Sequence, residues 1–178
     1  MNSALIILAH PKLEQSRVNR TLYEASSAIQ NVKIHDLYEM YPDFFIDIKY
    51  EQAAMEKASL IIFQHPFYWY SAPALLKEWL DQVLERGWAY AAGGNALKGK
   101  MLMSAISSGG AASAYQTAGY NNFTIAELLR PFEQTANLCG MNYLKPFVLH
   151  SAREADDEMI SGHASNYCEL IRDLLKNG

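Results

Sequence analysis

The sequence predicts a doubly wound α/β fold: a five-stranded parallel sheet with helices on both faces. Three observations carry this expectation. Short apolar runs alternate along the chain with longer stretches of helical periodicity. The strongest runs, SALIILA at 3–9 and SLIIFQ at 59–64, are apolar almost throughout rather than alternating, as strands covered on both faces are. No break in composition divides the 178 residues, so 1–178 is expected to be one domain around one core.

Each element follows in order. Residues 3–9 form the first strand. Residues 16–29 read as a helix with Ser16 as its N-cap. VKIHD at 32–36 alternates like a second strand, 41–48 is irregular, and 50–57 is a short helix. Asp43 and Asp47 suit turn and capping roles there. Residues 59–64 are the third strand. From Pro73, Leu75, Leu76, Trp79, Leu80, Val83 and Leu84 recur at helical spacing, with Gly87 as the expected stop. A loop with Gly93 and Gly94 leads to a strand at 100–107. Residues 123–138 are helical, 141–150 contains the last strand, and 154–176 is the closing helix.

Charge and composition exclude several functions. The net charge of −4 and pI near 5.7 provide no basic field for nucleic acid. The opening MNSALIILAH has no basic n-region and too short an apolar run for a leader or span, so a cytoplasmic protein is expected. Cys139 and Cys168 form no CxxC and read as reduced, inert thiols. The five histidines make no HxH or HExxH, so no metal site is expected.

In sheets of this type ligands bind beyond the carboxyl ends of the strands. Three segments fall there. AHPKLEQS enters a helix whose first amides suit a phosphate, with Ser16, Arg17 and Arg20 nearby. It has neither GxGxxG nor GxxxxGK[ST], and a capped helix alone explains it as well. HPFYWYSAP carries Phe67, Tyr68, Trp69 and Tyr70 between Pro66 and Pro73. These rings can grip a flat heterocycle, cap the sheet or meet a second copy. His65 is expected to orient this loop. SSGGAASAY offers Ser107, Ser108, Gly109 and Gly110, whose amides can approach a ligand closely. Together the three supply a phosphate hole, a stacking wall and edge donors, the parts a flavin mononucleotide needs.

These same residues carry a resemblance. QHPFYWYSAPALLKEWLDQVLERGWAYAAGG, with AHP…SRVN upstream and SSGG…Y downstream, resembles the flavodoxin-like NAD(P)H:quinone reductases. HDLYEMYPDFFIDI, FQHP…YS.PALLKEWLD and LLRPFE resemble in particular the ancillary subunits of bacterial Kef glutathione-gated potassium efflux systems. The resemblance implies a flavodoxin-like fold and a homodimeric flavoprotein with sites near the dimer interface. It implies FMN, with FAD as the alternative, and NAD(P)H as co-substrate. His10, Ser16, Arg17, Val18 and Asn19 would hold the phosphate and ribityl side. Pro66, Phe67, Tyr68, Trp69 and Tyr70 would pack along the ring, and Ser107, Ser108, Gly109 and Gly110 would contact its other portion. Tyr115 would lie near the flavin and Tyr90 would line the substrate pocket.

The implied reaction is a two-electron, ping-pong hydride transfer from NAD(P)H through FMN to a quinone. Two departures stand out. The quinone reductases have a histidine six residues after the tyrosine matched by Tyr115, where this chain has Asn121. Ala92 replaces a second pocket tyrosine. These leave open a non-enzymatic flavin-binding subunit docked on the cytosolic face of a Kef-type transporter, peripheral to the inner membrane.

Overall fold

The computed structural model describes residues 2–177. Its strands are β1 (Ala4–Leu8), β2 (Val32–Asp36), β3 (Leu60–Pro66), β4 (Met101–Ser107), β5 (Asn142–Tyr143) and β6 (Phe147–Leu149). Its α-helices are α1 (Arg17–Ser27), α2 (Leu37–Met40), α3 (Ile48–Lys57), α4 (Ala74–Val83), α5 (Ile125–Leu128), α6 (Arg130–Leu138) and α7 (Asp157–Asn177). The strands run parallel in the order β2-β1-β3-β4-β5, and β6 also pairs with β4.

The expected fifth strand is therefore present in two pieces. Asn142 and Tyr143 pair with Met101 and Leu102, whereas β6 pairs with Ala105, Ile106 and Ser107. The Leu144 amide still donates to the Leu102 carbonyl at 2.8 Å, and the ladder breaks at Lys145 and Pro146. Proline has no N–H to donate, so a break at this sheet margin follows. Proline also shapes the 123–138 segment. It forms two helices, α5 and α6, with Pro131 in the first turn of the second, where its missing N–H costs nothing.

Two apolar layers sandwich the sheet. Leu5, Ile7, Ile61 and Phe63 face a layer with Met55 of α3, Leu76 and Trp79 of α4, and Phe132 of α6. Ala4, Ile6, Leu8, Leu60 and Ile62 face Val18 and Leu22 of α1 and Ile160, Ala164, Tyr167 and Ile171 of α7. The central strands are buried on both faces, which is why their sequence does not alternate.

Several boundaries differ from expectation. Ser16 caps α1 as expected, its hydroxyl accepting from the Asn19 amide at 3.1 Å. Asp36 caps the unforeseen short α2, and Asp47 caps α3. The α4 helix stops at Val83 rather than at Gly87; the positive φ of Gly87 serves the following turn, where its amide bonds the Tyr90 carbonyl. The HDLYEMYPDFFIDI segment closes over a buried cluster. His35 Nδ1 lies 2.9 Å from both Glu51 carboxylate oxygens, and the Tyr41 hydroxyl donates to Glu51 Oε1 at 2.7 Å. Because all strands are parallel, the segments after β1, β3 and β4 leave the same end of the sheet. The Phe67 amide donates to the Ser107 carbonyl at 2.8 Å, fastening two of them together.

Candidate functional site

At this end of the sheet lie two adjoining cavities. The first, of about 640 Å³, is lined by His10, Lys12, Ser16, Arg17, Val18, Pro66, Phe67, Tyr68, Ser107, Gly109 and Arg153, among others. The second, of about 660 Å³, runs along Phe67, Tyr68, Trp69 and Tyr70 to Gly109, Gly110 and Tyr115. Phe67, Tyr68, Gly109 and Arg153 border both, so the two form one cleft. Each is of the size that holds a drug-sized ligand. A more apolar cavity of about 690 Å³ lies among residues of α5, β6 and α7 and shares only Tyr115 with this cleft. It contacts neither the start of α1 nor the glycine pair.

The cleft is rich in main-chain donors. Among the described residues, the amides of Arg17 and Val18 at the start of α1 have no protein acceptor. The same is true of Trp69 and Tyr70 on the aromatic loop, and of Gly109 and Gly110. The aromatic loop is a tight turn. The Ser71 amide donates to the Tyr68 carbonyl at 2.9 Å, and Trp69 and Tyr70 both have positive φ, 49° and 61°. That is type I′ geometry, usually left to Asn and Gly. Here two large rings are held in a conformation they disfavour.

The polar side chains are ordered by their partners. His10 Nδ1 accepts from the Lys12 amide at 3.1 Å, which leaves the proton on Nε2. Burial lowers its pKa, with Glu14 opposing, so the imidazole is a neutral donor. Tyr115 packs edge-on to Phe67, at 5.9 Å between centroids, and tilts against His150 at 5.6 Å. The Tyr70 hydroxyl donates to Asn121 Oδ1 at 3.2 Å. His65 is fully buried and its Nδ1 meets the Pro66 carbonyl at 2.9 Å, so it does orient the loop.

The structure brings most of the predicted residues to the cleft and gives some a different task. Asn19 is buried; its amide group donates to Ser107 Oγ at 2.9 Å, and its carbonyl accepts from Gln64. It joins two rim segments and does not line the cavity. Ser108 is also buried, with its hydroxyl on the Gly110 carbonyl and 3.1 Å from His150 Nδ1. Arg17 lines the first cavity, but its guanidinium is bound to the Ala155 carbonyl and Asp157 at 2.8 and 2.7 Å.

Asn19 and Ser108 thus stay at the rim without lining the cleft, whereas Tyr90 is placed away from it. This tyrosine lines none of the cavities described and packs against the core layer of α3 and α4. The reason is topological: α4 starts at the rim and runs back, so the chain after Val83 lies near the other end of the sheet. There Trp88 Nε1 donates to Glu56 at 2.7 Å, and Lys100 Nζ bonds the Ala58 carbonyl. Sequence reasoning passed over Arg153, Lys12, Tyr120 and His150. Arg153 carries no motif, and only the fold of the loop after β6 brings it to the cleft.

This fold and this cleft define a class: a flavodoxin-like α/β protein with an open cleft at the carboxyl ends of its strands. The family model described as flavodoxin-like fold matches residues 2–171, and the chain belongs to that family. Within the family it is 47% identical to the glutathione-regulated potassium-efflux system ancillary protein KefG of Serratia proteamaculans, over 98% of this chain and 95% of that one. The general stress protein 14 of Treponema denticola, solved in complex with FMN, superposes with a TM-score of 0.92 at 39% identity, covering 97% of this chain and 99% of that one. A protein described as a thermophilic tryptophan halogenase, from Streptomycin violaceusniger, gives 0.91 at 45% identity, with coverage of 93% and 96%. An NADPH-quinone reductase from P. pentosaceus gives 0.87 at 34% identity, with coverage of 95% and 97%.

Proposed function

We propose that this chain binds FMN and acts as an NAD(P)H:quinone oxidoreductase, and that it also serves as an ancillary subunit on the cytosolic face of a Kef-type potassium efflux transporter. The observation that carries the flavin is the convergence of six free amides and an aromatic wall on one cleft. The residues present fit the group. The amides of Arg17 and Val18, the Ser16 hydroxyl and His10 suit a phosphate at the start of α1. Phe67, Tyr68, Trp69 and Tyr70 suit the flat ring. Gly109, where a Cβ would meet nothing closer than 3.9 Å, leaves room for its edge.

When bound, FMN supplies two-electron hydride exchange between a nicotinamide and a quinone. The chain's own residues position and stabilise. The amides of Gly109 and Gly110 and the Tyr115 hydroxyl face developing negative charge as preorganised donors. Tyr68 and Tyr70 exclude water from the ring face. Asn121, held by Tyr70, offers a hydrogen bond where the resemblance leads one to expect a histidine. Tyr90 can serve this site only from a second copy of the chain, so the proposed assembly is a homodimer, cytoplasmic and peripheral to the inner membrane.

The test is direct. Purified protein should take up FMN, bleach on NADPH or NADH, and recover its yellow colour with a soluble quinone. A protein that refuses FMN would defeat the proposal. The identity to KefG and the substitution Asn121 favour a second reading, a flavin-binding regulator without turnover. Bound flavin with no steady-state NAD(P)H oxidation would select it.

A further inference from the structure

The cleft has a fixed positive charge that the site residues above leave unused. Arg153 borders both cavities, and its Nε lies 3.9 Å from where a Cβ on Gly109 would be. Among the described residues it has no hydrogen-bond or ion-pair partner. The other cations at the cleft differ. Lys12 and Arg17 line the first cavity alone, and Arg17 is committed to Asp157 and the Ala155 carbonyl.

The loop that presents Arg153 is locked to the glycine segment. The Ser151 amide donates to the Gly110 carbonyl at 3.1 Å and the Ala152 amide to the Ser108 carbonyl at 2.9 Å. The Ala155 amide returns to the Ser151 carbonyl at 3.0 Å, closing a turn in which Ser151 has a φ of 50°. A non-glycine residue in this conformation is held there by its surroundings. The guanidinium root is thus fixed beside the Gly109 and Gly110 amides. The neighbouring Glu154 borders only the second cavity.

We infer that Arg153 is the charge-compensating residue of this site: its guanidinium balances the negative charge that hydride delivers to the edge of a flavin at Gly109 and Gly110. The inference rests on the flavin reading above. A hydride brings two electrons and one proton, so one net negative charge stays on the acceptor. An unpaired cation at that edge favours the reduced form over the oxidised one. Arginine keeps its charge throughout the physiological range, whereas a histidine would titrate within it. Asn121, on the same cavity, carries no charge, so the cation at this edge comes from the loop after β6. Because Arg153 is exposed, water screens the effect and limits its size.

The experiment measures the two-electron midpoint potential of the FMN-loaded protein against a reference dye, with xanthine oxidase as the source of electrons. It compares wild type, Arg153→Met and Arg153→Lys, with the Kd for oxidised FMN measured alongside. Arg153→Met should lower the potential by about 30 mV, a tenfold loss in preference for the reduced form. The Kd for oxidised FMN should stay within about twofold, ~0.4 kcal/mol. Arg153→Lys, which keeps the charge, should restore most of the potential. An unchanged potential in Arg153→Met overturns the assignment. So does an equal weakening of oxidised and reduced FMN, which would place the guanidinium on the phosphate instead. Wild type that takes up no FMN overturns the flavin reading itself, and this inference with it.

Discussion

Gly109 and Gly110 are neighbours with different constraints. A Cβ on Gly110 would lie 3.0 Å from Tyr115 Cε2 and 3.2 Å from its hydroxyl, so any side chain there displaces the ring. A Cβ on Gly109 meets only Arg153 Nε, at 3.9 Å, and its backbone is not left-handed. Gly109→Val therefore folds, and its branches project into the cleft. Thermal unfolding of Gly109→Val without flavin should match wild type, while FMN affinity should fall at least tenfold, about 1.4 kcal/mol. Equal FMN affinity, read by quenching of flavin fluorescence, would remove Gly109 from the site. The paired serines divide in the same way. Ser107 lines the first cavity and its Oγ accepts from Asn19, whereas Ser108 is turned inward to Gly110 and His150. The sequence SSGG gives no means of telling which hydroxyl faces the ligand.

Among the elements, the aromatic turn after β3 is the most strained. Trp69 is 92% exposed with a φ of 49°, so it carries backbone strain and gains little burial in return. Asparagine tolerates this conformation far better. Trp69→Asn should stabilise the flavin-free protein by about 1 kcal/mol, raising Tm by roughly 2–4 °C. It should also weaken FMN binding, because an exposed ring is lost from the cleft wall. A lower Tm would show that the indole is packed. The strain falls on the segment that stands out most in the sequence. Two prolines and four rings after SLIIF cannot be ordinary core. The strands and long helices were legible for a similar reason, since burial on both faces leaves an unbroken apolar run and burial of one stripe leaves helical spacing. What escaped were effects of single residues and of long-range placement. Pro146 splits a strand, Pro131 begins a second helix, α4 carries Tyr90 away from the rim, and a turn at Ser151 turns Arg153 toward it. None of these has a period to read.

For the molecule as a whole, covering the sheet on both faces buries polar groups of strands and helices alike, among them His65 of β3 and His163 of α7. His65, next to the last residue of β3, is fully buried, with Nδ1 on the Pro66 carbonyl and Nε2 without a partner among the described residues. Burial holds its pKa down at about 4, against the Pro66 hydrogen bond, which acts to raise it. His163, stacked on Phe147 at 4.2 Å, is likewise lowered to about 4 by burial. In the unfolded chain both titrate near 6.5. Above that pH neither state binds the proton, and the native protein keeps its full stability. As pH falls from 6.5 toward 4, the unfolded chain takes up protons that the buried rings refuse, so stability declines. Below about 4 the loss from these groups is complete. For His65 the decline between pH 7 and pH 5 comes to about 2 kcal/mol. His163 is only partly buried and adds a smaller share in the same direction. Urea unfolding at the two pH values should show the loss, and His65→Asn should remove about 2 kcal/mol of the difference while leaving the urea slope unchanged. A His65→Asn protein with the same pH dependence as wild type would mean that His65 takes up its proton in the folded state, which would require Nε2 to reach water.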